Sequence, residues 1–215
     1  MRKKLTVVCF LLSLIFFVSP AGASFLIDNG DFESGLTGWQ SSYNVSAKGS
    51  WADVDPLPGS SRQAVLSDMG FFPANLSQDF SVDGGKTVSI NFDYNLWAFN
   101  WFGGKKGDDF VVSLAGDTYF DEILRDNIAD GRGNKATISD WQHFDETFFF
   151  DEATDLSIMF ELDNFKSPRQ LAMAFVDNIK IEQMIATPVP SAFLLLMSGV
   201  AGLFTAKKKL SKYKG

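Results

Sequence analysis

The chain has 215 residues, with 19 basic against 26 acidic side chains, one histidine and one cysteine. Eight of the basic residues lie at the two ends, so Ser24 to Ala206 holds eleven against all 26 acidic ones, a net of −15. That charge repels a phosphate backbone and argues against a nucleic-acid partner; Cys9 allows no internal disulfide, and His143 alone builds no multi-histidine metal centre.

The N-terminus opens on Arg2-Lys3-Lys4, followed by the apolar run Leu5 to Val18 and the helix breaker Pro20. Small residues Ala21 and Ala23 then stand at the −3 and −1 positions of a signal-peptidase site. The pattern predicts a secretory signal over residues 1–23, with the Sec translocon and signal peptidase as first partners. The apolar run is too short for a permanent span, and cleavage removes Cys9.

From Ser24 onward the chain alternates short apolar runs with Gly, Asp, Asn, Pro and Ser clusters. The expected strands are Phe25–Ile27, Trp39–Ala47, Gln63–Leu66, Leu76–Val82, Thr87–Leu96, Asp109–Leu114, Trp141–Phe149, Leu156–Leu162 and Ala174–Ile181. Val88, Ile90, Phe92, Tyr94 and Leu96 share one face of a strand, and Leu156, Ile158, Phe160 and Leu162 share another. Period-two apolar faces need a facing sheet, which points to an all-β sandwich of two antiparallel sheets over 24–185. Tyr119–Ala129, with Phe120, Ile123, Leu124 and Ile128, is read as one short helix.

The outer row of the central strand carries the sharpest functional pattern. With Ile90, Phe92, Tyr94 and Leu96 inward, Asn91, Asp93, Asn95 and Trp97 face out, and Phe99 and Trp101 continue the row. Amides and a carboxylate ending in aromatic rings suit glycan recognition, because rings stack on sugar C–H faces while amides serve hydroxyls. Adjacent acids such as Asp108-Asp109 and Asp121-Glu122 point to opposite faces of a strand, so no catalytic pair is legible and the expectation is a non-enzyme.

Leu26-Ile27-Asp28-Asn29-Gly30-Asp31-Phe32-Glu33-Ser34-Gly35, with Gly38-Trp39 after it, resembles the opening of galactose-binding-like jelly rolls and carbohydrate-binding modules. Phe175-Val176-Asp177-Asn178-Ile179-Lys180-Ile181 resembles their closing strand. The resemblance implies a jelly-roll topology with first and last strands side by side and a structural Ca²⁺ between them. Carried over, Glu33 and Asp177 give carboxylate oxygens, Asp31 a backbone carbonyl, and Asp53 or Asp55 a further acid.

The C-terminus reads Thr187-Pro188-Val189-Pro190-Ser191, then the apolar stretch Ala192–Ala206, then Lys207-Lys208-Lys209. As a helix, the stretch spans about 22 Å, and lysine stems extend its reach to the interface. The lysines are expected to stay cytoplasmic, with the acidic domain outside. This order resembles the PEP-CTERM sorting signal of Gram-negative bacteria, with Val189 where the usual motif has Glu. The resemblance implies an exosortase-type processing enzyme acting over residues 186–215, and a setting of exopolysaccharide and biofilm matrix. The expected protein is therefore a cell-surface or matrix component with a structural or glycan-binding domain. A polysaccharide hydrolase and a purely structural envelope protein are the alternatives.

Overall fold

The computed structural model describes residues 23–51, 54–67, 73–100, 108–127, 136–163 and 170–184. All but the last residue of the expected signal segment 1–23, the whole of the expected sorting segment 186–215, Asp53 and Trp101 lie outside the described residues. The strands are β1 (Ala23–Phe25), β2 (Gln40–Ser41), β3 (Val45–Lys48), β4 (Gln63–Ser67), β5 (Ala74–Val82) and β6 (Lys86–Asn100). Then come β7 (Asp109–Gly116), β8 (Phe120–Asn127), β9 (Ala136–Ile138), β10 (Gln142–Phe150), β11 (Thr154–Asp163) and β12 (Gln170–Met184). There is no helix among the described residues.

Two antiparallel sheets result. In sheet A the order is β10-β6-β12-β4-β3, with β1 on β12 and β9 on β6; sheet B runs β2-β5-β11-β7-β8. The fold is an all-β jelly-roll sandwich, as the alternation requires: side chains of period two bury one face of each sheet against the other. Val88, Ile90, Phe92, Tyr94 and Leu96 of β6 are buried, as are Leu156, Ile158, Phe160 and Leu162 of β11. Phe92 from sheet A meets Phe160 from sheet B edge-on at 5.2 Å between ring centroids and stacks on Phe144 at 4.7 Å. Full burial of one such ring contributes about 1.5–3 kcal/mol. The Tyr94 hydroxyl reaches Gln142 (2.9 Å) and Asp126 of the opposite sheet (3.2 Å). Burial, then the Asp126 charge, pushes that phenol up to about 12.

The first and last strands of the described domain lie side by side, as the resemblance implied. β1 pairs with β12 from Ala23↔Met184 to Phe25↔Glu182, and Leu26 N–H donates to Ile181 O. Gly30 continues the contact, accepting from Ile179 N–H at 2.9 Å. A Cβ at Gly30 would lie 2.0 Å from Ile179 O, so only glycine permits this approach. The loop after it is organised by Asn29, whose side chain donates to Gly35 O and Thr37 O and accepts from Ser34 N–H. Phe32 adopts a left-handed backbone (φ 52–56° is shared by Asn29 and Phe32) and is fully buried against Trp39. Within the Asn-Gly-Asp-Phe-Glu signature Phe32 serves packing, whereas Asp31 and Glu33 stay exposed.

Two expectations are corrected. Residues 119–129 were expected as a helix, but Phe120–Asn127 is the edge strand β8 of sheet B, paired to β7 across a register shift at Val112/Ser113. Trp39–Ala47 is not one strand: β2 joins sheet B and β3 joins sheet A, with the turn at Tyr43–Asn44 between them.

Candidate functional site

β6 runs through the middle of sheet A, and its register puts Asn91, Asp93, Asn95, Trp97 and Phe99 on the outer face, as the alternation predicts. That face divides into two regions.

The first is polar. Asp93 lies opposite His143 on β10 and Asp177 on β12. Its carboxylate is 2.7 Å from His143 Nδ1 and accepts from Asn178 Nδ2 at 3.0 Å. A β-bulge between Asp177 and Lys180, with Asn178 at φ 52°, brings Asn178 round to this position and turns Ile179 into the core. Asn91, opposite Asp145 and Lys180, extends the polar strip.

The second region is apolar and roofed. Trp97 is 9% exposed, in a small cluster with Val54, Val65, Met173 and Phe175; Phe99, Trp141 and Leu171 pack at its margin. Trp97 and Phe99 are nearly parallel, 6.3 Å apart. Sequence alternation alone made Trp97 an open stacking surface; the segment around Val54 covers it. Gln63 fixes that segment, donating to Gly49 O (3.1 Å) and Val54 O (3.2 Å), and Trp51 and Val54 bridge each other through both backbone amides.

Between roof and sheet a recess of about 300 Å³ remains, lined by Val54, Asp55, Pro56, Asn95, Ile138, Ser139, Asp140 and Trp141. Asn95 is 3% exposed; its amide donates to Ser139 O at 2.6 Å, while its Oδ1 has no hydrogen-bond partner. Trp97 Nε1 is likewise buried without a partner. Buried polar atoms left unpaired cost about 1–3 kcal/mol each, so the Oδ1 of Asn95, which lines the recess, marks a place where a ligand group would be stabilised. Trp141 forms one wall, its Nε1 donating to Asp55 O at 3.2 Å. Trp141, Ser139 and Asp55 were not recognised as parts of this site from sequence, because they reach Asn95 only through tertiary packing.

The expected Ca²⁺ set takes carboxylates from Glu33, Asp177 and Asp55 and a backbone carbonyl from Asp31. Among the described residues no group of three or more His, Cys, Asp or Glu side chains converges. Glu33 accepts from Ser61 N–H and Oγ and from Arg62 N–H, bonds that hold its carboxyl below the usual range. Asp31 Oδ1 accepts from Glu33 N–H at 3.2 Å. Asp55 bonds to Ser50 Oγ and lines the recess. Asp177 is fully buried; its Oδ1 accepts from Asn178 N–H, and its Oδ2 has no partner. Burial pushes Asp177 up to about 6, helped by the charges of Asp93 and Asp31 and opposed by the Asn178 amide and the Ser60 hydroxyl. The unpaired oxygen of Asp177 is where a cation would be stabilised, and the charge of Asp31 acts on the same carboxyl.

Sheet B has a wider depression of about 550 Å³ on its outer face, lined by Asp79, Ser81, Asp117, Asp155 and Ser157 among others. Ser81 Oγ bonds to Asp155, and Gln40 donates to Asp79. No tryptophan or tyrosine lines it.

No family model matches the chain, and no curated protein matches it closely. Several solved structures are similar to it at low sequence identity. A family 16 carbohydrate-binding module is 22% identical, over 73% of this chain and 98% of that one, with a TM-score of 0.43. A cyclase from Fischerella sp., solved in its apo form, is 14% identical, over 75% and 96%, with a TM-score of 0.47. The chain is also similar to TmCBM61, solved with beta-1,4-galactotriose, at 14% identity over 74% and 97% of the two chains and a TM-score of 0.45.

Proposed function

We propose that this protein is an exported glycan-binding component of the cell surface or extracellular matrix, delivered there by its terminal segments, and that it recognises a sugar in the recess over Asn95. The observation that carries the reading is the unpaired Oδ1 of Asn95 beside the Trp141 wall. A sugar hydroxyl would donate to that oxygen while a ring C–H face lies on the indole, the division of labour that small-molecule sites use. Asn91 and Asp93 extend the same face toward a longer chain. Export follows from the leader, and retention or release from an exosortase-type enzyme acting at Pro188-Val189-Pro190-Ser191; both are testable by mass spectrometry of the secreted form.

The test of recognition is affinity electrophoresis of the full chain through exopolysaccharide-containing gels. Retardation that disappears in Trp141→Ala, with an unchanged melting profile, supports the reading; unchanged mobility of the wild type against every polysaccharide tested overturns it and leaves a purely structural envelope role.

A hydrolase reading has one observation behind it: Asp55 and Asp140 both line the recess. Release of reducing ends by the wild type and not by Asp140→Asn would convert the site from binding to catalysis. The structural Ca²⁺ is part of the same proposal: the unpaired Oδ2 of Asp177 supports it, with Glu33, the Asp31 carbonyl and Asp55 as the other ligands tying the first and last strands together. A melting midpoint unchanged between millimolar Ca²⁺ and chelator removes it.

A further inference from the structure

A second feature of sheet A lies across the Trp51–Val54 bridge from the recess. Edge strand β3 and the loop after it form a groove of about 170 Å³, lined by Tyr43, Asn44, Val45, Ser46, Lys48, Trp51, Val65 and Ser67. Its chemistry differs from that of the recess in three ways. Two aromatic rings stand out from the surface, Tyr43 at 75% and Trp51 at 38% exposure. A cation is present, with Lys48 Nζ 3.7 Å from the centre of the Trp51 ring. The groove also has a buried hydroxyl, Ser67 Oγ, with no hydrogen-bond partner.

We infer that this groove is a second sugar subsite, selective for a saccharide that carries a carboxylate, such as a uronic acid residue. The inference rests on the glycan-binding reading above and assigns the class of sugar. Lys48 forms no ion pair with any carboxylate among the described residues. Its ammonium is held over one face of Trp51 by the ring quadrupole, which fixes the donor without neutralising it. A carboxylate entering the groove completes a charge-assisted hydrogen bond, the sugar ring packs against Tyr43 or the rim of Trp51, and a hydroxyl reaches Ser67 Oγ. The domain as a whole is acidic and repels such a ligand at long range. At physiological salt that repulsion is screened beyond about 8 Å, whereas the contact with Lys48 is not, so the local charge decides the outcome. The position of Trp51 is set by sheet A itself, through the Gln63 amide and the Trp51–Val54 bridge, so the groove is formed before a ligand arrives.

The experiment is titration calorimetry of the full chain with tri-galacturonate and with the same trisaccharide after reduction of its carboxyl groups. Lys48→Met keeps a stem of similar length over Trp51 and removes the charge. It is expected to weaken tri-galacturonate about tenfold, the effect of losing one charge-assisted bond, and to leave the reduced trisaccharide unchanged. Equal loss for both ligands, or no loss for either, overturns the subsite. Trp141→Ala separates the two readings. If it abolishes neutral binding while Lys48→Met has no effect on the acid, the recess stands and the subsite falls. If acidic binding survives Trp141→Ala and is lost in Lys48→Met, the subsite stands and the recess falls. If the wild type binds neither trisaccharide, the subsite is wrong.

Discussion

The outer faces of the two sheets are built from the same alternation and end in different states. Sheet B presents Asp79, Ser81, Asp155 and Ser157 to water over a broad shallow depression, and its one described ion-pair network, Arg125 with Asp109 and Glu122, lies along the edge. Sheet A presents Asn95, Trp97 and Phe99, and two segments from elsewhere in the chain close over them. A bare polar face offers hydroxyl-like and carboxylate groups already satisfied by water. A partly roofed aromatic face offers an unpaired amide oxygen, that of Asn95, in a recess walled by an indole. Recognition by stacking and directed hydrogen bonds needs the second arrangement, which is why binding is assigned to sheet A although the larger depression lies on sheet B.

The largest effect that tests this contrast is on stability. Trp97→Ala removes the centre of the roofed cluster and is expected to cost about 2–4 kcal/mol in denaturant unfolding. Met159→Ala, on the outer face of sheet B, is expected to cost under about 1 kcal/mol. Equal losses would mean that sheet A is roofed no better than sheet B.

Next comes binding. Trp141→Ala is expected to lower glycan affinity tenfold or more, the range of a lost stacking anchor, with Ser157→Ala on sheet B without effect in the same gels. The reverse pattern would move the site to sheet B.

A smaller effect separates the polar strip of sheet A from a metal site. Asp177 has its carboxyl raised by burial, so in chelator its neutral form is favoured by folding. That contribution is complete below about pH 4, the unfolded value, and is lost as pH rises through about 6. Asp177→Asn measured against wild type in chelator is therefore expected to gain up to about 3 kcal/mol in relative stability between those limits and to hold the gain above them. A cation on Asp177 reverses the sign: in millimolar Ca²⁺ the asparagine variant becomes the less stable of the two.

The smallest effect is at Arg125, whose side chain is 45% exposed. Arg125→Met should move the melting midpoint only marginally, since exposed ion pairs are screened and entropically costly. A large loss would show that the edge of sheet B is tied down more firmly than its polar surface suggests.

How much of this was legible in the residues varies by region. The inward row of β6 and that of β11 were read correctly because a strand buried on one face writes its orientation directly into every second position. Residues 119–129 were misread because Phe120, Ile123, Leu124 and Ile128 repeat at helical spacing. In the fold, β8 is an edge strand with a register shift against β7, so period two is broken there for a reason that lies in its partner. The resemblance carried by Leu26–Gly35 and Phe175–Ile181 announced the pairing of the domain's first and last strands. It did not reveal that Phe32 is buried against Trp39, that Glu33 accepts from Ser61, or that Asp177 has an unpaired oxygen.

The sequence by itself determined a sandwich of antiparallel strands, the inward face of its central strand and the anionic character of the domain, because alternation and charge are local properties of the chain. Only the tertiary structure decided which outer face is covered, which indole is hidden and which is left at a wall. Those outcomes depend on Val54 and Trp141, about forty residues to either side of Trp97, and on Gln63, whose side-chain amide holds the covering segment in place.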